Sequence, residues 1–317
     1  MNKKITANLV LLFLILVCVI CIAIVLILPN FFEFAWNDTL RTLLPNAEYF
    51  FRFITEFGGT LIYLSLFFTI YWGINKSLAK NLLLVYVASN FVNYYSKSII
   101  GRSRPPESNW ILISASHLST PSGHAQSSSV VWGYVAIKSR TILIWIVSLV
   151  IIVLVGLSRM YLGVHWFGDI LIGWLFSIII LSLVLIFEES IKNFVGSHNT
   201  TLIYLGLALL GFIIMVLSEL LLSIDYNIGG PGGQLIGLGL GFAIEEKYIK
   251  FESTKNYDTT WKVIVRILLG ILLIAIVYLV LYLIIDADIF WMSAIHNIIT
   301  LLFGIVVWPI IFKKLNL

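Results

Sequence analysis

TILIWIVSLVIIVLVGLSRMYLGVHWFGDILIGWLFSIIILSLVLIF, Thr141 to Phe187, is the stretch whose reading decides the fold. Two long apolar runs flank a short connection that carries Arg159, His165 and Asp169. About 20 apolar residues let a helix cross the hydrocarbon layer of a bilayer. Both runs meet that measure, so the stretch reads as two membrane helices joined at one membrane face. Ionisable groups so close to lipid are costly unless they are paired or used.

The rest of the chain extends this pattern. Of its 317 residues, 60% are hydrophobic and 11% charged, and the mean hydropathy is +1.01. A soluble domain is about one quarter charged. Apolar stretches at 8–28, 58–74, 80–96, 124–137, 141–157, 166–187, 201–222, 232–245, 263–285 and 297–312 are each expected to be a span. The first follows a lysine-bearing start and is too long for the core of a signal peptide, so it is expected to stay as an uncleaved helix. Cys18 and Cys21 lie inside it without further ligands and read as small apolar residues.

The basic residues orient the spans. With the N-terminus in the cytoplasm, only Arg41, Arg52, Lys97, Arg102, Arg104 and Arg159 fall outside, and the other lysines and arginines fall inside. The net charge of +4 and the lack of a basic run give no footprint for nucleic acid. Residues 31–57, aromatic and mixed in charge, are expected to form one or two helices in the outer interface. They would serve as a rim guiding lipid or as a plain aromatic belt.

Three outer segments hold the chemistry. In KSIIGRSRPP, Lys97 and Arg104 stand two helical turns apart, and Pro105 then turns the chain. The pair suits a phosphate, or else two cations snorkelling at the interface. In LSTPSGHAQSSS, Ser122, Gly123 and His124 form a turn entering a helix, where backbone N–H groups can face an anion. His124 could move a proton near neutral pH or be merely structural. In SRMYLGVHWFGD, His165 and Asp169 are an i, i+4 pair. The carboxylate can fix the imidazole tautomer and balance the charge formed when the ring attacks an electrophile. Arg159 lies nearby in sequence.

The segments read KxxxxxxRP (Lys97, Arg104, Pro105), PSGH (Pro121 to His124) and SRxxxxxHxxxD (Ser158, Arg159, His165, Asp169). In this form and order they resemble the type 2 phosphatidic acid phosphatase superfamily, which includes glucose-6-phosphatase and the vanadium-dependent haloperoxidases. The resemblance covers roughly residues 50–190. It implies a six-helix core, and with the spans counted above the expectation is an all-α, polytopic membrane helix bundle with about four additional C-terminal transmembrane helices. The corresponding parts would be a catalytic core at 1–195 and an extension at 196–317 with no assigned role.

It also implies roles. His165 would be the nucleophile, Asp169 its orienting base and His124 the acid for the leaving group. Lys97, Arg104, Arg159, Ser122 and the Gly123 N–H would hold the phosphoryl oxygens, with no cofactor and no metal. The expected protein is a multi-pass cell-membrane enzyme with a cytoplasmic N-terminus and an extracytoplasmic site. Its partners would be the bilayer and a lipid phosphate or diphosphate: undecaprenyl pyrophosphate, phosphatidic acid or phosphatidylglycerol phosphate. A phosphotransferase with the same site, or a transporter or flippase keeping it for binding, are the alternatives. Haloperoxidase activity would need bound vanadate.

Beyond the core, Gly233, Gly237 and Gly241 make a smooth face for helix packing. Glu219 reads as a packing group or as the lining of a path through its span. Glu245 and Glu246, beside Lys247 and Lys250, read as a solvated inner loop, and His198 and His296 as structural.

Overall fold

The computed structural model describes residues 3–33, 36–111, 118–221, 229–253, 260–286 and 289–317. Lys255, one of the expected inner charges, lies outside them. The described residues are helical, without a strand. In chain order the helices are α1 (Lys3–Ile27), α2 (Pro29–Glu33), α3 (Trp36–Leu43), α4 (Glu48–Thr55), α5 (Thr60–Gly73), α6 (Lys76–Ile100) and α7 (Gly123–Ser139). They continue as α8 (Ile142–Tyr161), α9 (Phe167–Ser197), α10 (Thr200–Leu221), α11 (Gly229–Ile244), α12 (Thr260–Ile284), α13 (Phe290–Leu302) and α14 (Trp308–Lys314).

Among the described residues, six helices are long and apolar enough to cross a membrane: Lys4–Ile27, Ile142–Tyr161, Phe167–Ser197, Thr200–Leu220, Thr260–Ile284 and Phe290–Lys314. Glu48–Gly58 and Thr60–Ile74, bent by 50°, give a seventh if they count as one span. This is a multi-pass membrane protein. The other expected spans are helices as well, but of a different kind. α7, at 17 residues, lies at the short end for a crossing, and α11, at 16, runs on into a π-helical turn. α6 carries Lys80, Asn93 and Lys97, all buried. Such helices face protein rather than lipid, so their polar groups are met by partners.

The chain forms two compact units, Met1–Tyr63 with Ala88–Glu189, and Leu64–Val87 with Ser190–Leu317. In the first, a buried polar network fixes the helices that carry the candidate site. Gln126 of α7 accepts from Asn93 Nδ2 at 2.9 Å and donates to Ser89 O and Oγ at 2.9 and 3.0 Å, both partners lying on α6. Ser177 of α9 donates to Gln126 O at 2.8 Å. A Cβ on Gly173 would lie 3.0 Å from Ser122 O, so α9 approaches α7 backbone to backbone. The expected interfacial segment forms three short helices, α2 to α4. Phe31, Tyr49 and Phe53 are exposed on them, while Phe51 stacks on Tyr161 at 4.5 Å.

In the second unit, the small face of α11 packs as its glycines imply. A Cβ on Gly233 would meet Ala294 O at 2.4 Å, and Gly237 and Gly241 lie against Leu301 and Ile305. His296 bonds Tyr278 O at 3.2 Å, and exposed His198 bonds Phe194 O at 2.8 Å. Two expectations change. Glu219 is exposed near the end of α10 rather than packed between helices. Glu245 and Glu246 are not a solvated loop. They begin a π-helical turn, Glu245–Ile249, and pair with Lys76 at 2.5 Å and Lys80 at 2.6 Å respectively. Glu245 is fully buried, and burial of a carboxylate requires such a partner.

Candidate active site

The site is assembled at helix ends of the first unit. α9 starts at Phe167, so Asp169 occupies its first turn, and its Oδ2 accepts the Trp166 N–H at 2.8 Å. This is the third-position carboxylate reaching back to the cap, a place where negative charge also suits the helix dipole. Ser119 Oγ and Thr120 Oγ1 both donate to the same carboxylate, and Arg102 Nη1 stands 4.0 Å away. Asp169 is wholly buried, and these donors replace the water it has lost.

His165 lies in the turn between α8 and α9, 2% exposed. Its Nδ1 is 3.3 Å from Asp169 Oδ2, and its Nε2 is 3.0 Å from Arg104 Nη1. A guanidinium has no acceptor, so Nε2 must receive that hydrogen bond. The ring proton therefore sits on Nδ1 facing Asp169, and the Nε2 lone pair faces the cationic side. Burial, and after it the charges of Arg104, Lys97 and Arg159, hold this imidazole well below the usual histidine range. The neutral form is the one that persists as pH falls. Histidine NMR of the ligand-free protein is expected to show His165 still neutral at pH 6.5, with its midpoint lower; a midpoint above 6.5 would contradict this electrostatic picture.

The turn itself is held from outside. Gly163 has φ +76°, and a Cβ there would lie 2.0 Å from Asn109 O, so both backbone and space demand glycine. Arg41 donates to Tyr161 O at 2.8 Å and to Asn109 O at 2.5 Å. Asn37 donates to His165 O at 3.1 Å, and Arg104 Nη1 to Val164 O at 2.8 Å.

The remaining expected residues lie around this centre. Lys97, 7% exposed, donates to Leu118 O at 2.6 Å and Ser119 O at 3.2 Å, which leaves one of three ammonium protons. Arg159, 6% exposed, donates through Nη1 to Thr55 Oγ1 at 2.8 Å, and its Nε is buried without a partner among the described residues. His124 lies in the first turn of α7, where its ring closes on Gly58: a Cβ there would be 2.9 Å from His124 Cδ2. The Ser122 hydroxyl caps α7, and its N–H donates to Asp169 O at 3.0 Å. Ser122 thus caps the helix, its hydroxyl and carbonyl taking the Ala125 and Gln126 N–H groups.

Sequence reasoning missed Ser119, Thr120, Arg102, Asn37 and Thr55. The hydroxyls of Ser119 and Thr120 stand directly before PSGH, which was a usable signal. Asn37 and Thr55 reach the site from 128 and 104 residues away. Among the described residues, no three His, Cys, Asp or Glu side chains gather as a metal-holding group.

Two family profiles match the chain. The PAP2 superfamily profile matches residues 78–193, and that of the PAP2 superfamily phosphatase, transmembrane extension, matches residues 230–317. These matches place residues 78–193 and 230–317 in the PAP2 superfamily. It is similar to phosphatidylglycerophosphatase B of Bacillus subtilis (strain 168), 34% identical over 122 residues, covering 36% of this chain and 59% of that protein. It is also similar to sphingosine-1-phosphate phosphatase 1 of Rattus norvegicus, 29% identical over 210 residues, covering 62% of this chain and 47% of that protein. The chain thus spans roughly half the length of these relatives. A crystal structure described as the first transmembrane PAP2 type phosphatidylglycerolphosphate phosphatase from Bacillus subtilis matches 61% of this chain and all of its own, with 26% identity and a TM-score of 0.43.

Proposed function

We propose that this protein is an integral-membrane phosphatase that hydrolyses a lipid phosphate through a phospho-histidine on His165. The observation that carries the reading is the pairing of His165: Nδ1 on the buried Asp169 carboxylate and Nε2 turned to Arg104. A neutral, oriented imidazole facing fixed cations is suited to attack on a phosphoryl group.

In the first step Arg104, Arg159 and Lys97 take the phosphoryl oxygens. Arg104 then has a better acceptor than the ring, and the Nε2 lone pair is released. Nε2 attacks phosphorus as the ester P–O bond breaks, and His124 gives its proton to the leaving alkoxide. Asp169 balances the imidazolium charge. In the second step water attacks the phosphorus, His124 takes its proton, and the P–N bond breaks to free phosphate. Positioning and charge supply the catalysis, and the lysine and arginines serve where a metal cation otherwise would.

The names of both relatives describe phosphatases of lipid phosphates, which favours an amphiphilic substrate. The exposed aromatic side chains of α2 to α4 suit a site at the membrane interface. The basic residues favour a cytoplasmic N-terminus and an extracytoplasmic site. Phosphate release by purified protein in detergent micelles, with lipid mono- and diphosphates beside soluble sugar phosphates, tests the proposal. Release from a lipid phosphate is expected, undiminished by EDTA. No release would favour a binding or transport role, and loss in EDTA restored by magnesium would overturn metal independence.

A further inference from the structure

Thr55 ends α4 and is 4% exposed. Its Oγ1 accepts a hydrogen bond from Arg159 Nη1 at 2.8 Å. The contact is backed along one face of α4, because Phe51, one helical turn earlier, stacks on Tyr161 at 4.5 Å. Beyond Thr55 the chain turns through Gly58, where an added Cβ would lie 2.9 Å from both His124 Cδ2 and Val155 Cγ1. The end of α4 is thus seated against α8 and against the first turn of α7. Thr55 lies outside residues 78–193, the part of the chain that matches the PAP2 superfamily profile.

Which guanidinium nitrogen Thr55 takes decides what Arg159 can do. Nη1 lies on the Cδ side of the planar group, so its use leaves the opposite edge, Nε with Nη2, as a fork. Such an edge can take two oxygens of one anion, which a lysine ammonium cannot do. Arg159 Nε is buried and has no hydrogen-bond partner among the described residues. A buried charged donor without an acceptor is costly, and native structures hold few of them outside functional places.

We propose that Thr55 is a positioning residue of the phosphate site, holding Arg159 by Nη1 so that the Nε–Nη2 edge meets the phosphoryl group. This deepens the phosphatase reading and rests on it. Without the hydroxyl the guanidinium is free to turn and to offer one nitrogen in place of the fork. A displacement of about 1 Å in a site of this kind costs on the order of 10²-fold in rate.

The test is a double-mutant cycle on kcat/KM in detergent micelles, with the lipid phosphate that wild-type protein hydrolyses fastest. Thr55→Val, which keeps the shape and loses the hydroxyl, is expected to lower kcat/KM roughly tenfold or more. Thr55→Ser, which keeps the hydroxyl, is expected to stay within about threefold of wild type. Arg159→Lys is also expected to lose roughly tenfold or more, since an ammonium keeps the charge without the fork. In an Arg159→Ala background the loss from Thr55→Val is expected to shrink below about threefold. A residue that only supports folding would cost as much in that background as in wild type, and this result overturns the inference. Wild-type kcat/KM in Thr55→Val, or in Arg159→Lys, overturns it too. If Thr55→Val alone fails to fold, the comparison of Arg159→Ala with Thr55→Val/Arg159→Ala stands, because the double variant leaves neither group unpaired. All of these outcomes leave the phosphatase reading intact. Release of phosphate from no lipid phosphate by wild-type protein overturns that reading and the inference with it.

Discussion

Replacing His165 with alanine is expected to lower turnover of a lipid phosphate by about 10⁴-fold or more, the scale on which enzymes lose covalent catalysis when the nucleophile is removed. That corresponds to roughly 5 kcal/mol of lost transition-state stabilisation. The ring is the one group whose Nε2 lies 3.0 Å from Arg104 while Nδ1 is backed by Asp169. Lys97, Arg159 and Arg104 survive the substitution, so substrate affinity should fall far less than turnover. A rate measurement on His165→Ala protein that elutes and melts like wild type checks this. Hydrolysis at the wild-type rate would remove His165 from the chemistry.

The second large effect is expected at Asp169. Asn is nearly the same shape, yet its amide nitrogen would face groups that need an acceptor. Ser119 Oγ, Thr120 Oγ1 and the Trp166 N–H all donate to this side chain. One or more of them would be left unpaired, and the tautomer of His165 would no longer be fixed. Comparable carboxylate-to-amide changes beside a catalytic histidine cost about 10⁴-fold in kcat, and Asp169→Asn should lose on the order of 10² to 10⁴. Steady-state kinetics should place the loss in kcat, because the cations proposed to hold the phosphate are untouched. A loss confined to KM would show that Asp169 acts on binding and not on the imidazole.

Much of this was legible in the sequence, for identifiable reasons. The i, i+4 spacing of His165 and Asp169 survives folding because both sit where one helix begins, a local arrangement that local sequence specifies. Lys97 and Arg104 could be joined to that pair because only a few basic residues break the inner bias of the charges. The supporting groups were hidden by distance along the chain. Thr55 holds Arg159 and Asn37 holds the His165 carbonyl, and nothing in the residues around either one marks the partner. The same limit misled the reading of Glu245 and Glu246. Lys247 and Lys250 are their neighbours in sequence, but the fold pairs them with Lys76 and Lys80 of α6. Hydropathy likewise did not separate lipid-facing from protein-facing helices, since α7 and α11 bury much of their apolar surface against other helices.

The most direct measurement is to trap the proposed covalent intermediate. Purified protein is mixed with lipid phosphate labelled in its phosphorus, quenched in alkali within the first turnovers, digested and mapped. Label that is stable to alkali, lost in acid and confined to the peptide containing His165 is the expected result. Steady phosphate release with no label on that peptide, or with label on another residue, would contradict a phospho-histidine at His165.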